Sequence, residues 1–189
     1  MKTICLLGSP RRGGNSDALA ARFTEKAISL GGSVKVYTLS DLDYNGCLNL
    51  FRCKNGLSHC GQTDDLTSVL EAIVDSQVLV LASPIYFTNL SGQLKLVIDR
   101  FFSFFTPDYT TAAIKSRLTT GRHLVLLQTQ GESEERYADI LQSYAVSFNG
   151  LGFEHLHLVR AWGVREPGEV LLHDGFLRRC DEVAGEIYG

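Results

Sequence analysis

The spacing of apolar positions changes repeatedly along the chain, and each change marks an element. Ile4 to Leu7 is a short continuous apolar run that predicts a strand. From Ser16 the apolar residues Leu19, Phe23, Ala27 and Leu30 recur at helical spacing, and Gly31-Gly32 supplies a stop. "SVKVYTL" is rich in β-branched and aromatic residues and predicts a second strand. A helix is expected from about Asp64, with Leu66, Val69, Leu70, Ile73 and Val74 on its apolar face. "VLVLASP" is the kind of unbroken apolar run that is buried on both faces of a sheet. The next helix runs from about Ser91, with Leu94, Val97, Ile98, Phe101, Phe102 and Phe105 along one side. "HLVLLQT" is a fourth strand, and Tyr137, Ile140, Leu141, Tyr144 and Phe148 mark the helix after it. The acidic run Glu132, Glu134 and Glu135 reads as that helix's first turn, where carboxylates complement the dipole. "FEHLHLVRA" alternates as a fifth strand, and the apolar positions from Leu172 to Ile187 form the last helix.

Five strands alternating with five helices predict an α/β protein: a doubly wound sheet of parallel strands with helices on both faces. No linker, repeat or low-complexity tract interrupts the rhythm, so residues 1–189 are expected to form one domain. Two segments fall outside it, an irregular loop over 40–63 and a polar stretch over 106–121 that reads as a surface insertion. In such a sheet, ligands sit beyond the carboxyl ends of the strands. The segments to inspect are therefore Gly8–Asn15, Pro84–Asn89 and Thr129–Ser133.

Composition narrows the classes. A net charge of −3 with no long basic run argues against nucleic acid as a partner. The N-terminal apolar run is too short for a signal-peptide core or a membrane span, so a cytoplasmic protein is expected. The five cysteines then read as thiols or metal ligands rather than a disulfide framework. Cys5 and Cys180 lie on apolar faces and read as core residues.

The candidate chemistry begins in "GSPRRGGNSDALA". Gly13 and Gly14 allow close backbone approach, and Ser9, Asn15 and Ser16 supply short polar side chains. The start of a helix adds free N–H groups and the positive end of a dipole. Arg11, with Arg12 beside it, supplies a forked donor set for phosphate oxygens. A solvated turn with an N-cap is the competing reading, and the position directly after the first strand favours a phosphate cradle. The Walker and G-x-G-x-x-G patterns are both absent, which points to a phosphomonoester.

Together, "GSPRRGGNSDAL" and "SPIYFTNLSGQLKLVIDRFF" resemble the flavodoxin-like NADPH-dependent FMN reductases, relatives of the iron–sulfur flavoproteins. The resemblance implies a flavodoxin-like fold that binds FMN and takes electrons from NAD(P)H. It implies that Ser9, Arg11, Asn15 and Ser16 hold the flavin phosphate. Pro84, Ile85, Tyr86, Phe87, Thr88 and Asn89 would line the ribityl chain and ring, and Thr129, Gln130 and Gly131 would complete the ring site. Independently of the family, "SPIYFTN" puts flat apolar groups beside polar ones at a strand end, as a flavin needs. No catalytic side chain is expected, because the flavin carries the chemistry. Lys95 and Asp99 read as an exposed ion pair one helical turn apart.

The 40–63 loop departs from the iron–sulfur branch. Cys47, Cys53 and Cys60 lie in it, but Leu50 stands where that pattern implies a further cysteine. A cubane needs four thiolates, and three leave one iron without a protein thiolate. A zinc site including His59 has suitable ligand types at a spacing that matches no ribbon or finger. The reading is against a cluster, with the thiols near the flavin or at a subunit contact. The leading function is reduction of a small-molecule acceptor: a quinone, a nitro or azo compound, a metal oxyanion or free flavin. An iron–sulfur flavoprotein or flavodoxin-like electron carrier with a protein partner is the alternative, and a flavin-sensing module is a third. The resemblance also implies a homodimer or homotetramer. Phe104, off the helical stripe, and Tyr109 are expected at the contact.

Overall fold

The structure is a computed structural model that describes residues 1–189. Five strands form the parallel sheet: β1 (Lys2–Leu7), β2 (Ser33–Thr38), β3 (Val78–Tyr86), β5 (His123–Thr129) and β6 (His155–Ala161). A two-residue strand, β4 (Asn89–Leu90), turns back antiparallel onto β3. The order is β2-β1-β3-β5-β6. The chain leaves β1 first toward β2 and then toward β3, so the topological switch point lies between β1 and β3, where such folds bind ligands.

The helices are α1 (Asn15–Ser29), α2 (Leu66–Val74), α3 (Gly92–Arg100), α4 (Ile140–Gly150) and α5 (Asp174–Tyr188). Because side chains alternate along a strand, each strand feeds two cores. Val78, Val80 and Ala82 of β3 pack with Val125, Leu127 and Val159 against Leu19 and Phe23 of α1 and Val183 of α5. Leu79 and Leu81 pack with Leu124 and Leu126 against Val69 of α2, Leu94 of α3 and Phe148 of α4. Cys5 and Cys180 are buried in the first of these cores. Burial pushes both thiols up to about 12, so they are packing groups.

Three local expectations change. Glu132 to Glu135 do not start a helix: α4 begins at Ile140, and Tyr137 has a positive φ of 58°. The cause is Gln130, whose amide donates to the carbonyls of Ser133 (2.7 Å) and Arg136 (2.9 Å) and so holds a turn instead. The aromatic run after α3 is a 3-10 turn over Phe101–Phe104, and Phe104 is buried in the core rather than set at a contact. The surface insertion ends early. Ser116 bridges back to Phe105 and Leu118 is buried, so only the first part of 106–121 is an excursion.

Candidate functional site

Gly8 ends β1 at a place with no room for a side chain: an added Cβ would lie 2.9 Å from Leu94 Cβ and Ser91 Oγ. Ser91 Oγ donates to the Gly8 carbonyl at 2.6 Å and caps α3 by accepting from Leu94 N, tying the exit of β1 to α3. The loop then turns through Gly13 at φ 64°, a conformation glycine adopts without strain. Gly14 is the N-cap of α1 and its carbonyl accepts the Ala18 N–H at 3.1 Å. The N–H groups of the first turn of α1 therefore point into the loop without intrahelical partners. Asp17 Oδ2 accepts from Gly13 N at 2.9 Å and steadies the turn, and its pKa is raised mainly by burial.

This loop, the end of β3 and the end of β5 enclose a cavity of about 220 Å³. Ser9 and Arg11 line it from the first loop, Asn15 and Ser16 from the start of α1, Pro84, Ile85 and Tyr86 from the end of β3, and Thr129, Gln130 and Gly131 from the end of β5 and the residues just beyond it. Ten sequence-predicted residues thus meet at one site. Phe87, Thr88 and Asn89 do not line it. Phe87 (φ 44°) and Thr88 (φ 75°) form the turn between β3 and β4, both with positive φ and Phe87 fully exposed, and Asn89 opens β4. Gly14, Val164 and Arg165 line the cavity as well, and the last two come from the turn after β6, where no motif marks them.

The donors divide into those engaged by the protein and those open to a ligand. Arg11 Nη1 donates to the Arg165 carbonyl at 3.0 Å, and the rest of its guanidinium makes no side-chain hydrogen bond with the protein. Ser16 Oγ and Thr129 Oγ1 are 2.8 Å apart in a buried pair, so whichever hydroxyl donates to the other, one O–H remains for a ligand. Asn15 differs from expectation. Its Nδ2 donates to the Glu166 carbonyl at 3.0 Å and its Oδ1 accepts from Val170 N at 3.0 Å, so its side chain fastens the turn after β6. What Asn15 can offer a phosphate is its backbone N–H. The side chain of Gln130 is likewise engaged in the 131–137 turn, as described above.

An anion-binding helix start, a guanidinium and two hydroxyls thus adjoin an apolar, aromatic strand end at the switch point. The sequence profile of the NADPH-dependent FMN reductases matches residues 1–137. The chain belongs to the NADPH-dependent FMN reductase family. Among individual relatives, an iron–sulfur flavoprotein of Methanocaldococcus jannaschii is 32% identical over 100 residues, 53% of this chain and 51% of that protein. The chain therefore spans about half the length of that relative. The Bacillus subtilis protein YwqN, named as an NAD(P)H-dependent FMN-containing oxidoreductase, is 28% identical over 171 residues, 90% of each chain. Among solved structures, an FMN-dependent NADH-azoreductase from Bacillus anthracis, in complex with FMN, superposes with a TM-score of 0.74. It is 21% identical with full coverage of both chains, which establishes the shared fold.

The donor set fits the cofactor the FMN reductase family implies. A phosphate dianion placed there would find the first-turn N–H groups of α1, the Arg11 guanidinium and a hydroxyl of the Ser16–Thr129 pair, and Ile85 and Tyr86 would give a ring apolar contact. The iron–sulfur cluster of its iron–sulfur relatives is not matched. Cys47, Cys53 and Cys60 do border one space, but it measures about 20 Å³ and is walled by Leu50, Phe51 and Phe102. That volume suits about one water. Cys60 Sγ already accepts from Arg100 Nε at 3.0 Å. No three His, Cys, Asp or Glu side chains stand together as a metal-ligand set. The loop is instead held by cations: Lys54 Nζ donates to the carbonyls of Phe102 and Phe105, and Arg117 to those of Cys53 and Leu57. No helix is long and apolar enough to cross a membrane.

Proposed function

We propose that the chain binds FMN in the cavity between β1, β3 and β5 and passes electron pairs from NAD(P)H to a small-molecule acceptor of the quinone, nitro or azo type. The observation that carries this is the meeting of anion donors and an apolar strand end in one cavity at the switch point. Bound FMN supplies a ring that accepts a hydride from a nicotinamide and passes two electrons on. The chain's part is placement. Arg11, Ser9 and the α1 start anchor the phosphate, and Ile85 and Tyr86 set the height of the ring. The buried Ser16–Thr129 pair offers the same phosphate one further O–H. No general acid or base is required of any side chain for hydride transfer itself.

The same reading has donor and acceptor visit one open face in turn, with a second copy of the chain covering part of it. The full exposure of Phe87, on the tight turn after Tyr86, supports assigning that contact to it.

The test is anaerobic. Purified protein loaded with FMN and mixed with NADPH or NADH should lose its absorbance near 450 nm in a single fast phase, and a quinone or azo dye should restore it. Retention of the yellow colour under both donors would remove the reductase reading and leave a one-electron carrier or a binding module.

A further inference from the structure

The wall of the flavin cavity that lies outside the matched family residues is the turn after β6, and it is unusually well fastened. Gln130 N donates to the Ala161 carbonyl at 2.9 Å and Val164 N to the Gln130 carbonyl at 3.1 Å, zipping the turn to the end of β5. Asn15 grips Glu166 and Val170 from the other side. Glu169 Oε2 accepts from the N–H groups of Arg165 (2.6 Å) and Glu166 (2.9 Å). The main chain of Arg165 is thus fixed at the rim of the cavity.

Its side chain is directed rather than loose. Nε donates to the Gly131 carbonyl at 3.0 Å, and the stem lies so close over Gly131 that an added Cβ there would be 2.8 Å from Arg165 Cγ. The side chain as a whole is 70% exposed, and the carboxylate it pairs with, Glu132, is itself largely exposed and 3.8 Å away. Arg11 lies against the same residue, donating to the Arg165 carbonyl. Two guanidinium side chains therefore line one small cavity, each with N–H groups open to a ligand. The repulsion between two like charges at one cavity is relieved by an anion between them, and a phosphate dianion offers oxygens to both forks.

We propose that Arg165 is a second phosphate-binding cation of the flavin site, paired with Arg11, so that selectivity for FMN over riboflavin rests on both. This rests on the FMN reading of the cavity, and the experiment separates the two. Apo-protein is titrated with FMN and with riboflavin by flavin fluorescence quenching, at low and moderate salt. The proteins compared are the wild type, Arg165→Gln, Arg165→Lys, Arg11→Gln and Glu132→Gln.

Arg165→Gln should weaken FMN binding about tenfold, leave riboflavin within about twofold, and flatten the salt dependence of the FMN constant. Arg165→Lys should recover part of the loss, because it restores charge without the fork. Glu132→Gln should hold or tighten FMN. An equal loss for both flavins would make Arg165 a wall or ring contact and overturn the proposal. Unchanged FMN affinity in Arg165→Gln would reduce it to a surface partner of Glu132 and overturn it equally. A wild type that binds neither flavin, or both with one affinity, would overturn the phosphate reading of the whole cavity. Loss confined to Arg11→Gln would keep that reading and remove Arg165 alone.

Discussion

Arg100 shows how single residues organise a loop that propensity alone would leave unstructured. Its side chain has no exposed surface, and its carboxylate partner, Asp64, is 2.7 Å from Nη1 and only slightly exposed. The remaining N–H groups reach Cys60 Sγ and the carbonyls of Asn45 and Gln62, so one guanidinium gathers both ends of the cysteine loop. Asp64 also accepts from Leu66 N at 3.2 Å, which ties the ion pair to the start of α2. Removing one partner leaves the other charge buried and uncompensated, an effect of about 3–5 kcal/mol. Asp64→Ala should therefore lower the unfolding free energy by about 3 kcal/mol in urea. Asp64→Ala combined with Arg100→Met should cost less than the sum of the single changes by at least about 1 kcal/mol. Strict additivity would mean that the pair is not energetically coupled. The sequence places Asp64 at a helix start, but nothing in the spacing of Asp64 and Arg100 announces their contact, because it forms only once α3 lies across the loop.

At the level of elements, the turn joining β3 to β4 is the place where local preference and structure disagree. Two-residue hairpins favour turns with φ above zero at both central positions, and Asn-Gly suits them. Here those positions are Phe87 and Thr88, the second β-branched and at φ 75°. Strain of this kind costs on the order of 1–3 kcal/mol and collects near functional sites. Thr88→Gly should raise stability by about 1 kcal/mol, a rise of about 2–4 °C in the melting temperature. Thr88→Val keeps the branch and should leave it unchanged. A drop with Gly would show that Thr88 is held by contacts worth more than the strain. The strands and helices themselves were legible because their periods are long and clean: "HLVLLQT" coincides with β5 residue for residue. What spacing could not show were contacts made across the fold. Gln130 replaces an expected helix start with a turn, the side chain of Asn15 becomes a clasp, and Arg165 lines the cavity from the turn after β6, which no motif marks. The cavity lining was legible at the exit of β1 and at the ends of β3 and β5, and hidden where it depended on the turn after β6.

Across the whole molecule, the two ends of the sheet carry different chemistry, and the end remote from the cavity carries a cluster of histidines. His123 opens β5 and His155 opens β6, paired in register, with His157 two residues further on the same face. His123 Nδ1 lies 3.1 Å from His157 Nε2, and His157 Nδ1 lies 3.4 Å from Glu186 Oε2 on α5, which also pairs with Arg179. One proton arrangement satisfies the chain: His123 Nδ1–H donates to His157 Nε2, and His157 Nδ1–H faces Glu186. A further proton on His157 Nε2 would break the first bond and set two donors against each other. The pKa values of His123 and His157 are both lowered, chiefly by burial, with neighbouring imidazoles adding to the shift and Glu186 opposing it at His157. A histidine kept neutral in the fold binds fewer protons than in the unfolded chain, so stability rises with pH through this range. The contribution is complete above the ordinary histidine value of about 6.5 and is lost as pH falls below it toward the lowered folded values. Carboxylates held low in the fold, such as Glu169, which accepts two backbone N–H groups, act only at more acid pH. Urea midpoints measured from pH 7.5 to 5 should therefore fall for the wild type, with most of the drop below pH 6.5. His123→Gln keeps a donor for His157 Nε2 without a titrating ring, and it should flatten that slope while preserving stability at pH 7.5. A slope unchanged by His123→Gln and by His157→Gln would assign the acid response to groups elsewhere in the molecule.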